Sequence, residues 1–256
     1  MIKIRRTKCP PELDTNSQPL SEHDYTHDNV LTCLLNMQHH KCCYCEKDLQ
    51  LIGQSAMWVE HFIARSDDCF KDVNGNINWN QVNAWANLLY SCSTCNNSKG
   101  SKNPFDKNCG ERRLIDPSYS RIDPEKHIDF IINGTAIIYK VMKNSILGRN
   151  TIENLKLRKR TDIYQLLRQC KRKIDALFDE LVDALVVNNV AMVNSRINDL
   201  SKKTSANEPH AAFSRKYLLQ KINIFNIDDI QILNKHLELN IKPISINIAN
   251  GSEIIN

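Results

Sequence analysis

The chain has 256 residues, with 34 Lys and Arg against 29 Asp and Glu and a net charge of +5. That length holds one large domain or two modest ones, and 41% hydrophobic with 25% charged residues excludes wholesale disorder. No run of about 18 apolar residues occurs, so no membrane-spanning helix is expected. The basic start Met1–Arg6 also lacks the apolar stretch of a secretory leader, which makes the cytoplasm the expected compartment.

Taken in chain order, Ile2 and Ile4 read as a short strand before the Pro10-Pro11 break. From Asp28, read as an N-cap, the residues Val30, Leu31, Leu34, Leu35 and Met37 form a helical stripe that stops near His39-His40. Residues 101–127 are turn-rich, with Asn103-Pro104, Asp116-Pro117 and Asp123-Pro124. Residues 128–132 and 136–141 then read as a β-hairpin about Asn133-Gly134, a pair suited to a type I′ turn. From about Thr151 to Val187 the pattern is helical, with Ile163, Leu166, Leu167, Cys170, Ile174, Leu177, Leu181 and Leu185 at three- and four-residue steps. Further helices are expected over 190–203, 208–222 and 228–239, and an edge strand over 241–248. The expected architecture is α+β, with a cysteine-rich domain over 1–125 (core about 41–102) and a hairpin-plus-helices domain over 126–256.

Ten cysteines in a chain long enough to fold without disulfides point to a reducing compartment, where cysteine clusters bind metal. Cys42-Cys43-Tyr44-Cys45 and Cys92-Ser93-Thr94-Cys95 are two C-x-x-C knuckles, and Cys42, Cys45, Cys92 and Cys95 can close a tetrahedral structural zinc site. Cys43 competes with Cys42, but only Cys42 has the two-residue spacing to Cys45. The 46 residues between the pairs exceed the interval of a simple zinc ribbon, so the metal is expected to tie off the base of a larger insertion.

Inside that insertion lies Val59-Glu60-His61-Phe62-Ile63-Ala64-Arg65-Ser66. It is followed by Asn87-Leu88 and by Cys92-Ser93-Thr94-Cys95-Asn96-Asn97-Ser98-Lys99. Hydrolysis of a phosphodiester needs a base for water and a cation for the charge that develops on oxygen. His61 is suited to be the base, while the Glu60 carboxylate and the Asn96 amide oxygen suit a hard divalent ion. Because adjacent strand residues face opposite ways, a bend is expected to bring Glu60 and His61 together. From Cys42 to about Lys102 the order of these motifs resembles the HNH endonucleases, in an H-N-N variant. The resemblance implies a zinc-stabilised ββα-metal nuclease domain followed by a mainly helical domain. It also implies His61 as general base, Glu60 and Asn96 as ligands of a catalytic Mg²⁺ or Mn²⁺, and Asn87 as the brace of the loop around His61. Asn96 stands where the family name has its last His, and Glu60 is one methylene longer than the frequent Asp.

Lys99 and Lys102 are expected to be solvated and available to phosphate. Between Lys140 and Asp175, eleven Lys and Arg, including Arg158, Lys159 and Arg160, stand against Glu153, Asp162 and Asp175, a density that fits a nucleic-acid backbone. Lys8-Cys9-Pro10-Pro11-Glu12-Leu13, Asp123-Pro124, His127-Ile128-Asp129-Phe130 and the helical second half together resemble PtuB-type HNH proteins of Septu anti-phage systems. That resemblance implies an ABC-type ATPase partner (PtuA) and, in retron-associated systems, a reverse transcriptase with its RNA–DNA product. The Ile-rich stretches 222–232 and 241–248 would be candidate docking surface. The expected substrate is nucleic acid, DNA by default, with tRNA open. The competing readings are a zinc module that binds nucleic acid without cutting it, and a stand-alone restriction-type HNH nuclease.

Overall fold

The computed structural model describes residues 1–16 and 18–224. The helix expected over 228–239, the strand over 241–248 and most of the two Ile-rich stretches lie outside them. The described residues form two units: 1–129 with 139–163, and 130–138 with the residues from 164 onward. The boundary expected near residue 125 therefore differs from this division, in which residues 139–163 fold with the first unit.

In the first unit, Met1, Ile2 and Ile4 are buried, but the segment is extended coil, not a strand; Ile4 N donates to Pro117 O at 2.7 Å without a continuing ladder. Helix α1 (Asp28–Met37) buries Val30, Leu34 and Met37. His27 rather than Asp28 occupies the N-cap position, and the helix ends as His39 and His40 take positive φ of 53° and 55°. Strand β1 (Met57–His61) pairs antiparallel with β2 (Leu88–Cys92), and the single-turn helix α2 (Trp79–Val82) lies between them in sequence. Helix α3 (Ser93–Lys99) follows β2 directly and packs on both strands, while α1 packs on β2.

Strand β2 is buried at every position, which accounts for its unbroken Leu-Leu-Tyr start. Gln38, at the end of α1, substitutes for a further strand: its Oε1 accepts from Tyr90 N at 2.8 Å, and its Nε2 donates to Tyr90 O at 2.7 Å. β2 is thus held from three sides, and so is the register that places His61 opposite Leu88.

Strands β3 (Ile128–Asn133) and β4 (Ala136–Val141) form the expected hairpin, one residue out of the expected turn phase. The turn residues are Gly134 and Thr135, and only Gly134 has positive φ (56°), the pattern of a type II′ turn, which needs glycine at its first central position alone. The long helical pattern from Thr151 is two helices, α4 (Ile146–Asn154) and α5 (Thr161–Val186), because Lys156 adopts a left-handed φ of 51° between them. Gly148 in α4 is sterically required, since a Cβ there would lie 2.2 Å from His127 O.

The second unit gathers the rest of α5 with α6 (Val190–Thr204) and α7 (Ala211–Ile224). Leu167, Ile174, Phe178 and Leu181 of α5 are buried, and Phe130 of the hairpin meets Phe213 of α7 edge-on at 5.3 Å. Asn189 caps α6 by accepting from Met192 N. Among the described residues, no helix is long and apolar enough to cross a membrane.

Candidate functional site

The first knuckle is a tight turn in which Cys42 N donates to Lys47 O and Glu46 N to Cys42 O, with Glu46 at a φ of 59°. The second pair places Cys92 at the N-cap of α3 and Cys95 one turn inside it. The sulfurs of Cys42, Cys45, Cys92 and Cys95 lie within 4.8 Å of one another and all four residues are buried. The Cys45–Cys92 separation is 3.8 Å. A tetrahedral metal with bonds of about 2.3 Å to sulfur requires S–S edges of about 3.8 Å, so these four residues fit a structural ion such as zinc. Cys43 is equally buried but is not among the four; its backbone N donates to Tyr90 O.

Arg160, Asp162 and Lys47 form a charged group on one flank of the cluster. Arg160 Nη1 donates to Cys95 Sγ at 3.4 Å, and its Nε and Nη2 grip Asp162 at 2.8 Å. Lys47 reaches the same carboxylate at 2.5 Å, and the bond from Arg160 together with Lys47 holds Asp162 well below the usual carboxylate range. Arg160 is only 6% exposed, so it is a neighbour of the cysteines and not the free phosphate contact expected of it. Arg158 and Lys159 are exposed, with Arg158 Nε donating to Tyr139 O.

At the other end of β1, the strand continues in register through His61, so Glu60 and His61 keep opposite faces and no bend brings them together. Glu60 is 1% exposed, and its Oε1 lies 2.6 Å from Lys99 Nζ and 3.2 Å from the Tyr44 hydroxyl. Lys99 is equally buried and also donates to His61 O at 2.9 Å. The lysine expected at the surface is therefore internal, because α3 turns its last helical position toward β1. Burial pushes the Glu60 carboxyl up, and Lys99 offsets this only in part. A divalent ion at Glu60 would have to replace the Lys99 ammonium, so this arrangement does not fit the expected metal-ligand role of Glu60. Asn96 is half-buried on α3, its carbonyl accepting from Gly100 N. Lys102 is exposed and donates to Ser98 O.

His61 faces the opposite way. Its Nε2 lies 3.1 Å from Asn83 Oδ1, and the Tyr25 ring stands edge-on at 4.9 Å. Burial, aided by the charges of Arg65 and Lys99 and opposed by Asn83, pushes its pKa down to about 4. The ring is thus neutral at pH 7, the state in which an imidazole accepts a proton. Arg65 lies over the Tyr25 ring, 5.6 Å from its centroid. The loop leaving His61 is held by Asn87: its Oδ1 accepts from Ile63 N at 2.8 Å, and its Nδ2 donates to Ile63 O and Val82 O. Phe62 N donates to Asn87 O, and Arg6 ties down the turn bearing Asn87 through the carbonyls of Trp85, Ala86 and Leu88.

The structure thus brings His61, Asn87 and the cysteine cluster onto one β1–β2–α3 frame. Asn83, Tyr25 and Arg65 went unassigned in the sequence, and Lys99 was assigned to phosphate and not to Glu60. Asn83 lies 22 residues from His61 with no spacing rule to connect them. Arg65 stands inside the quoted motif, but nothing in the sequence separates it from an ordinary surface charge.

No family profile matches this chain, and no solved structure matches it. It is similar to the Septu protein PtuB of Bacillus thuringiensis, at 27% identity over 164 residues, which cover 61% of this chain and 54% of that protein. The chain therefore spans about half the length of the curated relative it matches.

Proposed function

We propose that this chain is the nuclease effector of a Septu-type anti-phage system, cutting nucleic-acid phosphodiester bonds with His61 as the general base. The observation that carries the reading is a buried, neutral imidazole at the end of a strand whose following loop is braced by Asn87, with a four-cysteine cluster fit for a metal at the other end of the same strand pair. In this reading the cysteines hold a structural zinc, His61 takes the proton from an attacking water, and Arg65 offsets charge on the phosphate. The resemblance to HNH enzymes adds a Mg²⁺ or Mn²⁺ requirement. With Glu60 paired to Lys99, that carboxylate is not the residue that would hold the ion.

Likeness to the Septu protein PtuB supports the defence role and, with it, an ABC-type ATPase of the PtuA kind as partner. A retron reverse transcriptase and its RNA–DNA product would be a further partner in a retron-linked locus. The exposed Arg158, Lys159 and Lys102 are the backbone contacts of this reading. Phage plating on cells that carry the whole native locus tests it: protection is expected with the wild-type chain and lost with His61→Ala at equal protein level. Protection that survives His61→Ala would contradict the proposal. The internal Glu60–Lys99 pair favours a second reading, a zinc module that binds nucleic acid without cutting it, for which His61 would be dispensable.

A further inference from the structure

An imidazole acts as a base through one nitrogen only, and which nitrogen is free depends on what the other one meets. His61 Nε2 faces Asn83 Oδ1 at 3.1 Å. An amide can turn over, presenting either its oxygen or its NH₂, so the identity of that atom needs independent support. It comes from the other end of the same side chain. Asn83 Nδ2 lies 2.7 Å from Ser21 O and 3.5 Å from Glu22 O, and a backbone carbonyl can only accept. The NH₂ must therefore face Ser21, which leaves Oδ1, an acceptor, against the imidazole. A neutral imidazole nitrogen that faces an acceptor carries the hydrogen, so Nε2 is protonated and Nδ1 holds the lone pair.

The elements around Asn83 fix this orientation firmly. Asn83 is completely buried and sits at the C-cap of α2. The carbonyl it donates to belongs to a loop that is itself tied down. Ser21 N and Oγ both donate to the Asp24 carboxylate at 2.7 Å, and Leu20 N donates to Asn80 Oδ1 of α2 at 2.6 Å. The same loop supplies Tyr25 against the His61 ring.

We propose that Asn83 is a positioning residue that holds His61 in the Nε2–H tautomer and so makes Nδ1 the atom that takes the proton. The second half of this statement rests on the nuclease reading above; the first half does not. An Asn83 amide anchored on Ser21 costs nothing to reorganise when water is deprotonated, since the imidazolium that forms keeps the same Nε2–H bond. Without the acceptor, neither tautomer is selected and both become populated.

The experiment is long-range proton–nitrogen correlation NMR of the histidine rings in the metal-loaded full chain at pH 7.5, with His61 identified by its loss in His61→Gln. The expected spectrum places the hydrogen on Nε2 of His61 in the wild type. Asn83→Leu is expected to give a mixture of tautomers. Cleavage kinetics on the same variant are expected to show kcat lowered roughly 10- to 100-fold in Asn83→Leu, with KM little changed. A wild-type spectrum with the hydrogen on Nδ1, or one unchanged in Asn83→Leu, would overturn the inference. Because the tautomer is read without any substrate, a correct tautomer in a protein whose His61→Ala variant still cleaves would refute His61 as the general base while leaving the hold of Asn83 on the tautomer intact.

Discussion

Lys99→Met removes the ammonium from a buried pair while keeping most of the side-chain length. It strips Glu60 of a contact at 2.6 Å and leaves its carboxylate, 1% exposed, with only the Tyr44 hydroxyl at 3.2 Å. The His61 carbonyl also loses the Lys99 donor. Removing one partner of a buried ion pair costs about 3–5 kcal/mol, because the remaining charge is uncompensated. Glu60→Gln keeps the Tyr44 contact but strands the lysine, and is expected to cost a comparable amount. The double variant removes both charges and is expected to be less destabilised than the two singles summed, with a coupling of about 1–3 kcal/mol. All three tryptophans (Trp58, Trp79 and Trp85) lie in the first unit, so urea unfolding followed by their fluorescence reads the right part of the chain. A cost below about 1 kcal/mol for Lys99→Met, or additivity of the two changes within about 0.5 kcal/mol, would refute the pairing argument. So would a wild-type midpoint raised by millimolar Mg²⁺ or Mn²⁺ in a manner lost in Glu60→Gln, since that places the ion where the lysine stands.

The four-cysteine cluster is expected to hold one metal per chain by elemental analysis, with the metal lost in Cys42→Ser and Cys95→Ser but retained in Cys43→Ser; loss in the last would contradict the assignment. Because Arg160 donates to Cys95 Sγ whereas Arg158 and Lys159 are exposed, Arg160→Ala is expected to speed metal release to a chromogenic chelator. The Arg158→Ala/Lys159→Ala pair is expected instead to weaken nucleic-acid binding and flatten its salt dependence by about two contacts. For His61, the folded pKa near 4 lies below the ordinary 6.5, so between these values the unfolded chain binds the proton and the folded one does not. Stability is therefore expected to fall as pH drops through that window, by about 3 kcal/mol in full, and His61→Gln is expected to lose that part of the slope in urea midpoints measured at pH 7, 5.5 and 4.5.

Legibility in the sequence followed the range of the interaction. The two knuckles were readable because a metal imposes local spacing, and the same spacing separated Cys42 from Cys43. Helix α1 and the hairpin were readable from periodicity, yet the hairpin turn moved by one residue because glycine alone, not the Asn-Gly pair, meets the positive-φ demand. The break at Lys156 left no mark in the apolar pattern, since a left-handed lysine is chosen by packing and not by propensity. Lys99 and Arg160 illustrate the larger gap. Cationic side chains are expected in solvent, and only the fold brings a carboxylate to one and a thiol to the other. Asn83 was invisible for a related reason: its two partners, Ser21 and His61, lie 62 and 22 residues before it in sequence.

The claim that His61 performs hydrolysis is tested most directly by one comparison. Plasmid, single-stranded DNA and total tRNA are incubated with wild-type chain and with His61→Ala, each at verified metal content and with Mg²⁺ or Mn²⁺ supplied, with and without the PtuA-type ATPase proposed as its partner. The account predicts that at least one substrate is cut by the wild type and that cutting falls at least about 100-fold in His61→Ala. Equal cleavage by the two proteins would contradict it, as would tight binding with no cleavage of any substrate by the wild-type complex.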